Sequence, residues 1–240
     1  MNLNYFQIIK FLCLTVFFIY HVIAFGQSGS PVGAFRPPPS GPTFLRDVFR
    51  NRDVSEKPQG NVDGSVYLEK DWMYGRIKAA GRPQTYDSVK IKLNIQTGAV
   101  HFLDENNEDM TTTLNVEAVM IIDQSSTFYN TIFLCNLDHI PGFYQLLEDA
   151  GNLKLVKSLK IFEWSSQPVN AEKTKHIEVE GEAHLLYNDK LVKSSKKCSE
   201  VKGLFLNNKN LLQFISENNL RCNQENDLRR IVRFQKTNNN

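Results

Sequence analysis

Alternation of apolar and polar residues runs through the middle of the chain. In the stretch SVKIKLNI the apolar residues fall at every second position, and they are Val89, Ile91, Leu93 and Ile95. The stretch HIEVEGEAHLLY repeats the pattern with Ile177, Val179, Ala183, Leu185 and Tyr187. A period of two puts such residues on one face of a β-strand, so both stretches predict strands with one buried and one solvated face.

Further strands are predicted around these two. They are DWMYGRIKAA, AVHFL, residues 117–122, 129–134, 143–148 and 153–162, and KLVK. Turn-forming residues stand between several of them, such as QTG before AVHFL, DAGN at 149–152 and Asn188-Asp189 before KLVK. Connections this short predict antiparallel pairing.

The period becomes helical from Ser195 onward. NKNLLQFISENN has Asn208 as a candidate N-cap, and its apolar stripe is Leu211, Leu212, Phe214 and Ile215. NQENDLRRIVRFQK repeats the arrangement with Leu228, Ile231 and Val232. Many strands followed by helices predict an α+β fold: a curved antiparallel β-sheet or half-barrel followed by two or three short C-terminal α-helices.

The N-terminal sequence predicts export. Residues 11–25 are a mostly apolar run, too short for the ~20 residues that usually span a bilayer, and Ala24 and Gly26 fit a cleavage site. We therefore expect a signal peptide at 1–26, a Pro/Gly/Ser-rich linker at 27–60, an antiparallel β domain at 61–194 and a helical segment at 195–240. The alternative is an uncleaved membrane anchor. Cleavage would leave a periplasmic or secreted protein without a permanent membrane span.

Charge is unevenly distributed. Residues 190–240 carry 11 basic and 4 acidic side chains, whereas residues 27–189 carry 16 basic and 22 acidic ones. Attraction between the two parts within the fold is the preferred interpretation, and an anionic partner is the alternative. The lysine-rich stretch DKLVKSSKK lacks the interleaved aromatic residues that stack on bases, so nucleic acid is not expected as a partner.

Three cysteines lie beyond the predicted leader: Cys135, Cys198 and Cys222. Cys135 stands in the apolar stretch TIFLCNL and is expected to be a small buried side chain. In an oxidising compartment, Cys198 and Cys222 are the candidates for a disulfide between C-terminal helices. The cysteines do not have CxxC spacing, so neither zinc binding nor dithiol redox chemistry is predicted.

Motifs for chemistry are absent from the sequence. It contains no G-x-S-x-G, H-E-x-x-H or P-loop, and we assign no catalytic residue, metal ligand or cofactor. The acidic stretch LDENNEDM is expected to be a hairpin tip, because it lacks the glycine and the final carboxylate that a helix-flanked calcium loop needs. His176 and His184 are eight residues apart on one strand, ~26 Å and too far for one metal ion.

Two further groups of residues are candidate sites. Glu178, Glu180 and Glu182 form a ladder on one strand face, which suits either an exposed surface or the carboxylate pair of a hydrolase. The large aromatic residues are candidates for binding a lipid or a hydrophobic peptide, and they are Trp72, Tyr74, Phe162 and Trp164.

The chain also resembles a known group of proteins. YLEKDWMYGRIKAAG and VKIKLNIQTGAVHFLD near the start, with KLVKSSKK and LLQFISENNLRCNQENDLRRIVRF near the end, are similar to a set of uncharacterised exported β-rich proteins of Gram-negative bacteria. The resemblance covers most of residues 62–236. It implies the fold and the location, and it carries no activity and no site residues.

The sequence favours a non-enzymatic, exported cell-envelope protein with a binding or structural role. Its partners would be an envelope lipid or protein. A periplasmic carrier or chaperone for lipid or lipoprotein is the first alternative, since the order of elements is similar to that of half-open β-barrel carriers covered by helices. A secreted hydrolase that uses the glutamate ladder is the second.

Overall fold

The structure is a computed structural model, which describes residues 61–112, 115–192 and 195–238. The predicted signal peptide at 1–26 and linker at 27–60 lie outside the described residues. Among the residues described, none of the helices combines the length and the apolar character needed to cross a membrane.

Eleven strands come first in the described chain, and three α-helices follow them. The strands are β1 Asn61–Gly64, β2 Met73–Ala79, β3 Thr85–Asn94, β4 Ala99–Leu103, β5 Asp109–Thr111, β6 Val116–Ile121, β7 Ile132–Cys135, β8 Phe143–Ala150, β9 Leu153–Ser166, β10 Thr174–Tyr187 and β11 Lys190–Val192. The helices are α1 Ser199–Leu204, α2 Lys209–Glu217 and α3 Glu225–Asn238. The predicted α+β fold is confirmed.

The strands form one open sheet in the order β1-β10-β9-β8-β7-β6-β2-β3-β4-β5, and β11 also pairs with β10. Neighbouring strands are antiparallel, except that β1 runs parallel to β10 from Asn61 opposite Thr174 to Gly64 opposite Ile177. The sheet is therefore mixed, and β1 is a strand that the sequence pattern did not predict. Its parallel pairing is possible because a long stretch of chain separates it from β10.

The first core lies between the strands themselves. Alternate residues of β2 and β3 are fully buried, including Ile77, Ile91 and Leu93. They join Phe102, Phe133 and Phe143 in one cluster whose described members come only from strands and strand connections. Side chains from one sheet can bury each other in this way only if the sheet curls around them. Each such burial contributes about 1.5–3 kcal/mol.

The second core joins the helices to the sheet. Leu153, Leu155 and Leu185 of β9 and β10 pack against the apolar stripes of the helices, formed by Leu211, Ile215, Leu228, Ile231 and Val232. The predicted N-cap of α2 is confirmed, because the Asn208 side chain accepts a hydrogen bond from the Leu211 N–H at 3.1 Å. Burial of the stripes fixes the helices over one end of β8–β10.

Ion pairs add to this helix–sheet contact. Arg229 and Arg233 of α3 both donate to Glu148 of β8, at 3.0 and 2.8 Å. Glu225, at the start of α3, accepts from Arg229 at 2.9 Å and pairs with Lys157 of β9 at 2.8 Å. These contacts place basic groups of the C-terminal segment directly against carboxylates of the sheet.

Candidate functional site

A two-stranded ribbon extends from the sheet. β9 and β10 pair along their whole length, from Leu153 opposite Tyr187 to Ser166 opposite Thr174. β8 pairs with β9 only as far as Tyr144 opposite Ser158. Beyond that point β9 has a described neighbour on one side only. We call residues 159–166 and 174–181 the ribbon.

Two aromatic side chains are exposed on one face of the ribbon. Phe162 and Trp164 are 46% and 42% accessible to solvent. They are two residues apart on β9, so their side chains leave the same face ~7 Å from each other. Their cross-strand partners are Glu178 and His176. An aromatic pair held at the surface of a folded protein is typical of a binding site.

The orientation of Trp164 is fixed by β10. Its ring stacks on the ring of His176 with the centroids 4.0 Å apart and the planes 16° from parallel. Its indole Nε1 donates to Glu178 Oε1 at 3.4 Å. The stacking covers one face of the indole and leaves the remaining surface to solvent, so the side chain needs little reordering on binding.

His176 in turn connects three strands. Its Nε2 lies 2.7 Å from Ser166 Oγ, and its Nδ1 lies 3.3 Å from Asp63 Oδ2 of β1. The order of contacts is that of a Ser-His-Asp relay. The side chain of Asp63 is 73% exposed, however, so solvent weakens its effect on the imidazole. We interpret these contacts as bonds that hold β1, β10 and β9 together.

The glutamate ladder is an exposed surface. Glu178, Glu180 and Glu182 are all exposed on the same ribbon side as Trp164. Lys160 of β9 lies 3.8 Å from Glu182 and partly balances the charge of the ladder. Catalytic carboxylates work from sites that exclude water, and these positions do not supply such a site.

The other two predicted aromatic residues lie elsewhere. Trp72 is half-buried with the Lys92 ammonium 5.0 Å from its ring, and Tyr74 is 45% exposed with Lys90 at 5.8 Å. The sheet order places β6, β7 and β8 between β2 and β9. The structure therefore brings Phe162 and Trp164 together but leaves Trp72 and Tyr74 on a separate part of the sheet.

A groove of about 540 Å³ follows the unpaired edge of β9. The turn between β3 and β4 and the segment before β8 form its opposite wall, and its lining includes Ile95, Gly98, Gly142, Leu159, Ile161 and Glu163. A second cavity of about 540 Å³ lies between β11 and α1. Its lining includes Tyr187, Lys190, Leu191, Val192, Gly203 and Leu204.

The structure also places the three cysteines and the acidic stretch LDENNEDM. Cys198 and Cys222 form a disulfide with Cα atoms 5.0 Å apart, and Cys135 is buried as a thiol. LDENNEDM connects β4 to β5, and the Asp104 side chain accepts from the N–H groups of Asn106 and Glu108 at 2.8 and 2.9 Å. Within the described ranges, no three His, Cys, Asp or Glu side chains are grouped to hold a metal ion.

Sequence reasoning missed the ribbon edge and the contacts of His176. Both depend on register: on where β8 stops along β9, and on which residues of β9 and β1 lie beside His176. β9 is 14 residues long and β8 is 8 residues long. A longer alternating pattern in the β9 sequence could have indicated that this strand extends past its neighbour.

Comparison of the chain with protein-family models, with curated proteins and with solved structures finds no match. The function is therefore inferred from the geometry of this chain alone.

Proposed function

We propose that the protein is an exported cell-envelope protein with a non-enzymatic binding role, and that the ribbon is its binding surface. The observation that carries the proposal is the half-exposed pair of Phe162 and Trp164, with Trp164 held by stacking on His176. Ordered aromatic side chains bind with a small loss of conformational entropy and dominate many interfaces.

The charge of the ribbon narrows the class of partner. The ribbon, the connection between its two strands and the adjoining Glu182, residues 159–182 in all, contain three lysines and five glutamates, a formal charge of −2. Asp63 stands beside them on β1. An acidic surface around two aromatic rings favours a partner that is itself basic, because a cation can interact both with the carboxylates and with the ring faces.

Native purification tests this proposal. We would express the full chain with an affinity tag in its own host and identify co-purifying proteins by mass spectrometry. The Phe162→Ala/Trp164→Ala double variant should lose its partner about tenfold or more relative to wild type, the loss expected when aromatic anchors are removed.

A matched variant controls for the loss of any exposed ring. Tyr129 is 52% exposed and lies in the connection before β7, away from the ribbon. Tyr129→Ala should retain the partner at the wild-type level. Equal retention by wild type and the double variant would overturn the ribbon as the binding surface.

The cavity beside α1 favours a second candidate function, that of a carrier for an apolar ligand. Its volume of about 540 Å³ is within the ~300–1,000 Å³ range of small-molecule sites. Tyr187, Leu191 and Leu204 give it apolar walls, and Lys190 and Glu200 add one charge of each sign to its lining. The apolar walls suit the acyl part of an amphiphile.

Filling the cavity separates this candidate from the first. A Cβ atom at Gly203 would meet no atom within 4 Å, so Gly203→Leu can project into the space without a collision. About one lipid molecule per protein should be extracted from the native wild type, and the amount should be lower in Gly203→Leu. Gly203→Ala is the control and should retain the wild-type amount. A lipid-free wild-type protein would exclude the carrier function.

A further inference from the structure

The unpaired edge of β9 exposes a specific set of backbone groups. Asn188 N–H donates to the carbonyl of Asn152 at 2.9 Å, which makes 152 and 188 a hydrogen-bonded position of the β9–β10 hairpin. Hydrogen-bonded positions recur at every second residue of an antiparallel pair. Even-numbered residues of β9 therefore direct their N–H and C=O groups to β10. The odd-numbered residues direct theirs to the opposite edge.

Beyond Ser158 this opposite edge faces the groove. Beyond the last β8 pair, Tyr144 opposite Ser158, no described strand pairs with β9, and the odd-numbered residues of this free part of the edge are Ile161, Glu163 and Ser165. Ile161 and Glu163 line the groove. Their unpaired N–H and C=O groups form the template that an additional strand requires.

We propose that this groove binds an extended, basic peptide segment of a partner protein, which adds to the sheet as a strand beside β9. The proposal rests on the ribbon being the binding surface, and it specifies how the partner is held. Main-chain hydrogen bonds would supply affinity and the side-chain surfaces would supply selectivity, as in other cases of strand addition.

The two faces of the ribbon define the side chains of the segment. On the groove side, Leu159 and Ile161 pack against the first core, so an added strand meets apolar surface there. On the other side it lies next to Phe162 and Trp164, with Glu178 on the neighbouring strand. Residues of a strand alternate between faces, so the complementary segment alternates apolar residues with lysine or arginine.

The probe is an acetylated, amidated, fluorescein-labelled octapeptide that alternates valine and lysine. Its binding to the full chain is measured by fluorescence anisotropy. We expect saturable binding, and we expect it to be lost in the same peptide with N-methyl groups on alternate residues, because these remove one row of N–H donors. A valine–glutamate peptide of equal length should bind at least about tenfold more weakly.

A pair of substitutions on the protein tests the backbone contact. Glu163 is exposed, its N–H faces the groove, and its carboxylate pairs with Lys175 at 2.9 Å. Glu163→Pro and Glu163→Ala both lose this ion pair, but only the proline variant loses the N–H. Proline is tolerated at such an edge position. We expect Glu163→Ala to keep the affinity within about twofold, and Glu163→Pro to lose about fivefold or more, the effect of one hydrogen bond.

The outcomes separate this proposal from the one on which it rests. If Trp164→Ala abolishes binding of the probe while Glu163→Pro binds as Glu163→Ala does, the ribbon is a binding surface but strand addition is wrong. If wild type does not bind the probe up to about 1 mM, or if the N-methylated peptide binds equally, strand addition is overturned. Dimers in sedimentation that Glu163→Pro dissociates would assign the edge to a second copy instead, which also contradicts the proposal.

Discussion

Two histidines on the same face of β10 have different surroundings. His176 contacts Trp164, Ser166 and Asp63 at the exposed ribbon. His184 lies eight residues further along β10, half-buried, with its Nε2 3.1 Å from Ser158 Oγ. His176 supports the proposed binding surface, and His184 affects the stability of the fold.

Protonation of His184 should destabilise the fold. Burial lowers the pKa of His184, and the nearby Lys160 lowers it further, against the opposing effect of Glu182. The unfolded chain takes up a proton near its ordinary value of about 6.5, before the folded chain does. Neutral His184 therefore makes its full contribution to the free energy of unfolding above about pH 6.5. This contribution declines as the pH falls towards the lower pKa that His184 has in the folded state.

Chemical denaturation at about pH 7.5 and about pH 5.5 measures this decline. The free energy of unfolding of wild type should fall between the two values, and His184→Gln should show a smaller fall because glutamine does not titrate. An equal fall in both proteins would show that another group is responsible.

At the scale of elements, α3 is attached to the sheet by charge as well as by apolar packing. Burial at this contact raises the pKa of Glu148, but hydrogen bonds and charges from Arg233 and Arg229 outweigh it, and the pKa lies below its usual value. The side chain of Glu148 is only 15% exposed and that of Arg229 is 27% exposed, so water has limited access to this pair, whereas Arg233 is 62% exposed.

Removing this carboxylate should be costly. Glu148→Gln removes the carboxylate to which both Arg229 and Arg233 donate and leaves Arg229 with Glu225, and we expect a loss of about 1–3 kcal/mol in the free energy of unfolding. Glu117→Gln is the matched control, since Glu117 and its partner Lys78 are 46% and 47% exposed. An exposed pair should contribute less than about 1 kcal/mol. Equal losses from denaturation curves would contradict the proposed role of Glu148.

The disulfide connects the residue before α1 to the connection between α2 and α3. Closing a loop with a sequence separation of 24 should stabilise the fold by about 3 kcal/mol through the unfolded state. The Cys198→Ala/Cys222→Ala variant should lose a similar amount, measured by denaturation without reductant. Stability equal to that of the wild type would contradict this.

Alkylation mapped by mass spectrometry gives a complementary check. Burial raises the pKa of the Cys135 thiol to about 12, so native protein should not be alkylated at this residue at neutral pH. After denaturation without reductant, Cys135 should react and the disulfide pair should not.

At the scale of the whole molecule, local pattern predicted the elements and left their arrangement open. Alternation predicted most of the strands but not β1, and Asn208 as an N-cap marked the start of α2, because both signals lie within a few neighbouring residues. The order of strands in the sheet and the parallel position of β1 depend on pairing between distant segments. A single sequence contains no local signal for such pairing.

In the candidate site, too, the sequence predicts individual residues but not their arrangement. Phe162 and Trp164 could be named from the sequence as large aromatic residues, as could Trp72 and Tyr74. Only the register shows that the first two share a surface with His176 and that the other two lie apart from it. The unpaired edge depends on where β8 ends relative to β9, which alternation alone does not specify.

Amide hydrogen exchange across β9, measured residue by residue by NMR, tests the central claim most directly. If the ribbon has one free edge, the amides of Ile161, Glu163 and Ser165 exchange fast in the unliganded protein. Those of Lys160, Phe162 and Trp164, bonded to β10, exchange slowly. Uniform protection from 160 to 165 would mean that the edge is already covered, and uniform fast exchange would mean that the ribbon is not formed. Either result would contradict the account.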